Sequence, residues 1–235
     1  NLNRKNNDLK FFEFGKTYGV SEAGKYTEDN HLTIYITGNK SSDSWKGKAE
    51  KSDFYFIKAV FEKIMNVLGL KADAYTEAEN MDLSNALQAN IKNEKVAEIG
   101  LVANSKLDRF DIKQPVFYAD LNWGRLLKLN KKNYIQHKDV SKYPAVNRDL
   151  AIIVNKALPF EAVEKATAAA KVNKLTSISL FDIFESEKIG AGKKSMAISF
   201  TFLDEEKTMT DKDIDSMMNK IIGAYEKELG AEIRK

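Results

Sequence analysis

The sequence contains no cysteine, which excludes disulfide bonds and thiolate metal sites. This absence fits a reducing compartment, so we expect a cytoplasmic location. Long apolar runs are also missing. No stretch approaches the run of about 20 apolar residues that a membrane helix needs, and we expect no membrane partner. The chain starts with neither an initiator methionine nor an apolar signal core, so we interpret it as a piece of a larger protein.

A strong excess of one charge is absent as well. The net charge is +3, and residues 141–235 carry 15 Lys and Arg against 15 Asp and Glu. This neutrality argues against a large non-specific polyanion binder, because such binding grows with the number of phosphates that are neutralised. It is compatible with a module that reads a few exposed bases by stacking and hydrogen bonding.

The polar stretch Asn130–Asp139 separates two patterned regions, so we predict two domains, 1–135 and 141–235. The second has clear elements: a strand at 149–154, a helix at 160–170, strands at 175–184 and 194–203, a helix from Thr210 to Gly230, and a last strand at 231–234. This β-α-β-β-α-β order is typical of the ferredoxin-like fold. In the strand at 175–184 we expect Ile178, Leu180 and Asp182 to share one face.

The first region has a less regular pattern. It predicts strands at 9–18, 32–38, 96–103 and 116–121, a helix at 53–68 closed by Gly69, and a short helix at 122–127. These elements favour an α+β domain with an antiparallel or mixed sheet.

Four segments of the second region resemble the ferredoxin-fold anticodon-binding domain, in order and at natural spacing. Tyr143-Pro-Ala-Val-Asn-Arg-Asp-Leu-Ala151 resembles its opening signature, Y-P-x-x-x-R-D-[LIV]-[AS]. Leu180-Phe-Asp-Ile-Phe184 is similar to its second strand, and Gly192-Lys-Lys-Ser-Met-Ala197 to its G-K-K-S-[LM]-A hairpin. Lys207-Thr-Met-Thr-Asp211 is similar to the R-T-L-T-D/E start of its second helix.

The first region resembles the catalytic-like domain in the β subunit of bacterial phenylalanyl-tRNA synthetases. Asp8-Leu-Lys-Phe-Phe-Glu-Phe-Gly-Lys-Thr-Tyr18 is similar to its D-L-x-L-F-E-I-G-x-V-F strand. Asp53-Phe-Tyr-Phe-Ile-Lys-Ala59 is similar to its D-F-F-D-x-K-G helix start, with Phe56 in place of an acid and Ala59 in place of glycine. Around 83–86 the sequence departs from the H-P-G-R-[ST]-A of many members.

This resemblance implies the C-terminal end of such a β subunit. The implied fold class is α+β: a catalytically silent class II synthetase-like domain with an antiparallel sheet, followed by the ferredoxin-like domain. The implied partners are tRNA(Phe) and the catalytic α subunit of an α2β2 heterotetramer. The whole enzyme joins phenylalanine to tRNA with the help of ATP and Mg. We expect this chain to bind neither ATP nor Mg.

Catalytic chemistry is not expected in the first region. Class II synthetases place an arginine two residues before a glutamate, where it holds the ATP phosphate, but Phe11 stands two residues before Glu13. The two histidines, His31 and His137, have no obvious companion, so we interpret them as surface or loop residues. The acids at 204–206 suit a solvated turn. We therefore predict no catalytic residue and no metal site.

For RNA recognition, Phe184 is the first candidate. An aromatic ring at the end of a sheet strand can stack on an unpaired base, and the resemblance places an aromatic residue here. Asp182, on the same face of the strand, could accept hydrogen bonds from a base edge. Further candidates are Arg148, Lys193 and Lys194 for phosphates and Ser195 for a base or sugar.

Each candidate has a structural alternative. The Phe184 ring could fill the core, as we expect for Phe200 and Phe202. The cations could be ordinary surface charges, and Arg148 could pair with an acid on a neighbouring strand. At the level of the domain, two other functions stay open: an amino-acid-sensing regulatory domain of the same fold, and a pure subunit-interaction module.

Overall fold

A computed structural model of the protein describes residues 6–22, 24–45, 47–130, 137 and 139–234. The chain divides into two compact units, 1–136 and 137–235. Most of the stretch 130–139, where the sequence suggests a domain boundary, lies outside the described residues. In the part of the chain that the structure describes, no helix is both long and apolar enough to cross a bilayer.

The first unit is built on a six-stranded antiparallel sheet with the strand order β1-β2-β8-β7-β6-β5. Its strands are β1 (Leu9–Glu22), β2 (Lys25–Thr37), β5 (Ala74–Glu77), β6 (Leu83–Ile91), β7 (Glu94–Val102) and β8 (Val116–Asn122). A small two-stranded sheet pairs β3 (Asn39–Ser41) with β4 (Glu50–Lys51), and the helices are α1 (Phe54–Val67), α2 (Asn104–Leu107) and α3 (Trp123–Asn130).

Helix α1 packs on one face of this sheet because its apolar residues recur once per turn. Ile57, Phe61 and Met65 are buried against alternate residues of the strands, such as Leu32, Ile34 and Ile36 of β2. Asp53 starts the helix by accepting a 2.7 Å hydrogen bond from the Phe56 amide. Burial of each such side chain stabilises the fold by about 1.5–3 kcal/mol.

The second unit is a four-stranded antiparallel sheet with the strand order β10-β11-β9-β12. Its elements are β9 (Val146–Asn155), α4 (Phe160–Ala169), β10 (Leu175–Phe184), β11 (Lys193–Phe202), α5 (Asp211–Leu229) and β12 (Glu232–Arg234). Chain order and pairing confirm the predicted ferredoxin-like fold. The described structure therefore has the predicted α+β class, an antiparallel-sheet unit followed by a ferredoxin-like unit.

Helices α4 and α5 cover one face of the four-stranded sheet. The buried residues there are Ile152 and Val154 of β9, Met196, Ile198, Phe200 and Phe202 of β11, and Val163, Ile214, Met218, Ile221 and Tyr225 of the helices. Phe200 and Phe202 thus belong to the core, as expected. Helix α5 begins with a capping box between Thr210 and Asp213 and ends at Gly230, whose φ of 59° is left-handed.

A β-bulge in β10 changes which side chains share a face. Leu180 pairs with Ile198 of β11, but the next paired residue, Asp182, lies opposite Ala197, so Phe181 is an extra residue. The prediction that Asp182 shares a face with Ile178 and Leu180 is therefore wrong. Those two residues face the helices, whereas Asp182 and Phe184 face the other way.

Replacing Tyr225 with phenylalanine tests the packing of α5 on α4. The Tyr225 hydroxyl lies 2.5 Å from the Thr167 Oγ1, which itself donates to the Val163 carbonyl. Loss of this hydrogen bond should lower the unfolding free energy at pH 7 by about 1 kcal/mol.

We also expect the stability difference between the native chain and Tyr225→Phe to depend on pH in alkaline solution. Burial raises the pKa of Tyr225 from 10.0 to about 12. A raised folded-state pKa means that the tyrosine's contribution is complete below pH 10.0 and falls as the pH approaches 12. The stability difference between the native chain and Tyr225→Phe should therefore shrink over that range in chemical denaturation. A difference independent of pH would contradict the assigned burial.

Candidate nucleic-acid interface

The face of the four-stranded sheet away from α4 and α5, here called the open face, carries three of the predicted RNA-binding residues, Phe184, Ser195 and Asp182, in two rows. The first row crosses the sheet as Phe184, Ser195, Ile153 and Glu232. The second row crosses it as Asp182, Ala197, Ala151 and Arg234. Directly paired residues of neighbouring strands point to the same side, so both rows lie on the open face.

Phe184 ends β10, the edge strand of this sheet, and its ring is 45% exposed. The alternative that the ring fills the core is therefore wrong. Small residues lie beside it on the second row, where Ala151 and Ala197 stand between Asp182 and Arg234. The side chains next to the flat Phe184 ring on this row are therefore small.

Arg234 lies over the Phe184 ring, with its guanidinium carbon 5.6 Å from the ring centroid. This cation–π contact reaches across β9 and β11 from the opposite edge of the sheet. Arg234 was not among the sequence candidates. The alternation of the last strand places Glu232 and Arg234 on one face, but only the strand order shows that this face also holds Phe184.

Asp182 and Lys193 complete the polar part of the open face. Asp182 is exposed, and it lies on the row next to Phe184. Lys193 pairs with Glu232 at 2.5 Å between Nζ and Oε1. A phosphate that binds Lys193 must therefore compete with a carboxylate already in place.

Ser195 lies directly opposite Phe184 on the open face but is only 3% exposed. A base or sugar could contact its hydroxyl only if the neighbouring side chains moved. Its contact with RNA stays a prediction, and the free protein does not present the hydroxyl to solvent.

The register places Arg148 and Lys194 on the face that α4 and α5 cover. Arg148 pairs with Phe200, and Lys194 pairs with Val154, both of them core residues. The Arg148 guanidinium contacts Asp211 of α5 at 2.8 Å, so its ion pair is with the start of a helix rather than with a neighbouring strand. The structure does not bring these two cations together with Phe184.

In the first unit, the position where class II synthetases hold ATP is apolar. Phe11, two residues before Glu13, is half-exposed and lines a mostly apolar groove together with Phe12 and Phe14 of the same strand. Lys10 also lines this groove, and its ammonium group donates a 2.9 Å hydrogen bond to the Lys40 carbonyl. A phenylalanine offers no charge to a triphosphate or to its Mg²⁺. Within the described residues there is also no group of three or more His, Asp or Glu side chains placed to hold a metal ion. These residues do not fit ATP and Mg.

His31 has companions that the sequence did not indicate. Its Nδ1 lies 2.8 Å from Asp120 Oδ1, and its Nε2 lies 3.1 Å from Thr17 Oγ1. The order hydroxyl–imidazole–carboxylate resembles a nucleophilic triad. However, Thr17 lies in the regular ladder of the edge strand β1, whose free amides are two residues apart along the strand and do not converge on one oxyanion. We infer that Thr17, His31 and Asp120 stabilise the contact between β1, β2 and β8.

Comparison with known proteins gives two matches to family models, which together cover most of the chain. Residues 1–123 match the phenylalanyl tRNA synthetase beta chain CLM domain, and residues 141–234 match the ferredoxin-fold anticodon binding domain. The open-face residues described above all lie in the second match.

Similar curated proteins carry the name phenylalanine–tRNA ligase beta subunit. The chain is 40% identical to the one from Bacteroides fragilis, 34% to that of Porphyromonas gingivalis and 31% to that of Listeria monocytogenes. Each alignment covers 100% of this chain and 29–30% of the relative. The chain therefore spans about 30% of the length of these relatives.

Among solved structures, a pyrrolysyl-tRNA synthetase from Desulfitobacterium hafniense aligns with 55% of this chain and 45% of its own, at a TM-score of 0.42 and 13% identity. A structural likeness of this size supports no conclusion. The family is shown instead by the matched family models, and the relatives align with the whole of this chain. The beta-chain match alone takes in more than half of the residues, and on that ground the chain belongs to the phenylalanyl-tRNA synthetase beta-chain family.

Proposed function

We propose that this chain is the C-terminal part of a phenylalanine–tRNA ligase β subunit, and that its second unit recognises the anticodon stem-loop of tRNA(Phe). The observation that carries the proposal is the half-exposed Phe184 ring on the open face of a unit that matches an anticodon-binding family. The near-neutral charge of residues 141–235 supports recognition of a few bases rather than of a long backbone.

In this mechanism a base that has left the loop stacks on Phe184. Base–aromatic stacking is worth about 1–3 kcal/mol, and any base can provide it. Selectivity must therefore come from hydrogen bonds at the base edge. Asp182 accepts such bonds as a carboxylate, which favours a base that presents N–H donors. The short strip of Ala151 and Ala197 leaves space for the base between Asp182 and Arg234.

Arg234 gives the site a charge that can change partners. In the free protein the guanidinium lies over the Phe184 ring. An arriving base takes that place on the ring, and the guanidinium moves to a backbone phosphate beside the base. The exchange replaces a cation–π contact with a charge-assisted hydrogen bond, so the arginine is not left unpaired.

Bond formation belongs elsewhere in the assembly. Capture of the anticodon stem-loop orients the tRNA so that its distant acceptor end reaches a catalytic α subunit, in an α2β2 complex in the cytoplasm. ATP and Mg belong to that subunit, because Phe11 and its apolar neighbours suit neither. The first unit then serves as a scaffold that packs against the α subunit.

The recognition claim is tested by filter binding with the intact chain. The tRNA(Phe) anticodon stem-loop should bind more tightly than a loop of the same length with an altered anticodon, because Asp182 distinguishes base edges. Equal binding of the two loops would remove the recognition claim. In that case two alternative functions would remain, an amino-acid-sensing domain and a subunit-interaction module. Calorimetry with free phenylalanine would distinguish them, because only the sensor binds a free amino acid.

The stacking claim has a matched control in the same strand. Phe184→Ala should weaken binding of the stem-loop about 5- to 150-fold, which corresponds to a loss of about 1–3 kcal/mol. Phe181→Ala removes an even more exposed ring at the bulge, 59% against 45%, and should change the affinity less than twofold. Similar losses in both variants, with circular dichroism unchanged, would point to general apolar attraction instead.

The role of Arg234 is tested by the salt dependence of binding. Arg234→Gln should lower the slope of log affinity against log salt by about 0.7, the value for one phosphate contact on a single strand. The control is Lys165→Gln on α4, where the lysine pairs with Glu161 at 2.6 Å on the helix-covered side. An unchanged slope for Arg234→Gln would show that the guanidinium does not move to a phosphate.

A further inference from the structure

A second charged site lies in the same unit, on the side of α5. A cavity of about 310 Å³ forms where the loop before β10, the loop before α5 and the first turns of α5 meet. Five lysines line it: Lys171, Lys174, Lys207, Lys212 and Lys220. Two acids line it as well, Asp204 and Asp213. The lining therefore carries an excess of three positive charges in a unit that is neutral overall.

Both acids are already engaged within the protein. Asp204 is buried, and it accepts hydrogen bonds from the Lys174 ammonium and the Glu206 amide. These contacts lower the pKa of Asp204, with the Lys174 bond as the larger cause. Asp213 accepts 2.9 Å and 3.2 Å bonds from the hydroxyl and amide of Thr210 in the capping box. Apart from Lys174 and Lys207, no lysine of the described cavity lining lies within ion-pair distance of either carboxylate.

The other cations have little or no internal pairing. The Lys207 Nζ lies 3.9 Å from the Asp213 Oδ2, which makes this a long ion pair. The described residues show no ion pair for Lys171, Lys212 or Lys220, whereas many lysines elsewhere, such as Lys156, contact a carboxylate. Three exposed cations thus converge on one cavity.

Two of these lysines lie in the turn that leads from α4 to β10. Lys171 directly follows the end of α4, and its left-handed φ of 48° is a common way for a helix to end. Lys174, just before β10, has a φ of 70°. This turn brings residues 171–174 into the cavity wall.

We propose that this cavity binds a phosphate group. A concave site with excess ammonium groups suits a phosphate, which offers several acceptor oxygens and carries one negative charge as a diester or up to about two as a monoester near neutral pH. Val172, Met209 and Met217 form an apolar part of the wall, which suits the carbon portion of a phosphate ester. The phosphate comes either from an RNA backbone or from a free phosphorylated molecule.

This site is separate from the open face. The cavity follows the end of β11, whereas Ser195, the partner of Phe184, stands near its start, about 23 Å away along the strand. Helix α5 also lies on the opposite side of the sheet. The proposal therefore does not rest on anticodon recognition, and either can fail alone.

The test is a titration of the intact chain with inorganic pyrophosphate, in which binding is monitored through the chemical shifts of backbone amides. Shifts are expected at Lys171–Lys174 and at Ser216, in the cavity wall. The combined variant Lys171→Asn, Lys212→Gln, Lys220→Gln should bind at least tenfold more weakly. Asparagine is chosen at position 171 because it tolerates the left-handed backbone.

The control variant removes the same number of charges outside the cavity: Lys142→Gln, Lys188→Gln, Lys227→Gln. It should change the affinity less than twofold. Equal losses in the two variants would show only general attraction to charge and would overturn the site, as would the absence of shifts at the cavity. Both variants are checked by circular dichroism and thermal unfolding.

A second arm identifies the source of the phosphate. If the anticodon stem-loop shifts the same amides and pyrophosphate displaces it from them, the cavity binds RNA backbone. If only pyrophosphate shifts them, the ligand is a free phosphorylated molecule. Phe184→Ala should leave the pyrophosphate affinity unchanged, so a failure of anticodon recognition is distinguishable from a failure of this site.

Discussion

The two-residue period of β-strands, together with helices on only one side of the sheet, is the constraint on which the second unit depends. Every side chain of β9, β10 and β11 faces either the core under α4 and α5 or the open face. Without the bulge at Phe181, the strand pairing would place Asp182 and Phe184 against the helices, with Leu180 and Ile178. One extra residue therefore turns the side chains of Asp182 and Phe184, at the end of β10, to the open face.

Much of this architecture was predictable from sequence, since the ferredoxin-like unit has clean alternation, good caps and a helix that stops at a glycine. The first unit was harder. Strand β6 was missed because its alternation is interrupted by Asn85, with a left-handed φ of 49°, and by register shifts. The sequence did not predict the bulge, because the order of the residues Leu180–Phe184 does not distinguish a bulged strand from a regular one. The extra residue appears only in the pairing with β11. Arg234 was missed because its contact with Phe184 depends on the order of the strands in the sheet.

The candidate residues also show how charge counts can mislead. Residues 141–235 have no net charge, yet five lysines line the cavity beside α5. The open face has charged residues at both edges, Asp182 on β10 and Glu232 and Arg234 on β12. Of the cations chosen from sequence, Lys193 lies on the open face, whereas Arg148 and Lys194 lie on the other. A motif indicates which residues belong to a family's site, but strand register decides which of them can meet one ligand.

In the proposed function, the Phe184 ring contacts an anticodon base. Intermolecular nuclear Overhauser effects, measured between the ring protons of labelled phenylalanine and a tRNA(Phe) anticodon stem-loop, test it directly. We expect contacts between the Phe184 ring and base protons of the anticodon, with none to the buried rings of Phe200 and Phe202. Contacts from Phe160 of α4 alone, or from Phe181 without Phe184, would contradict it.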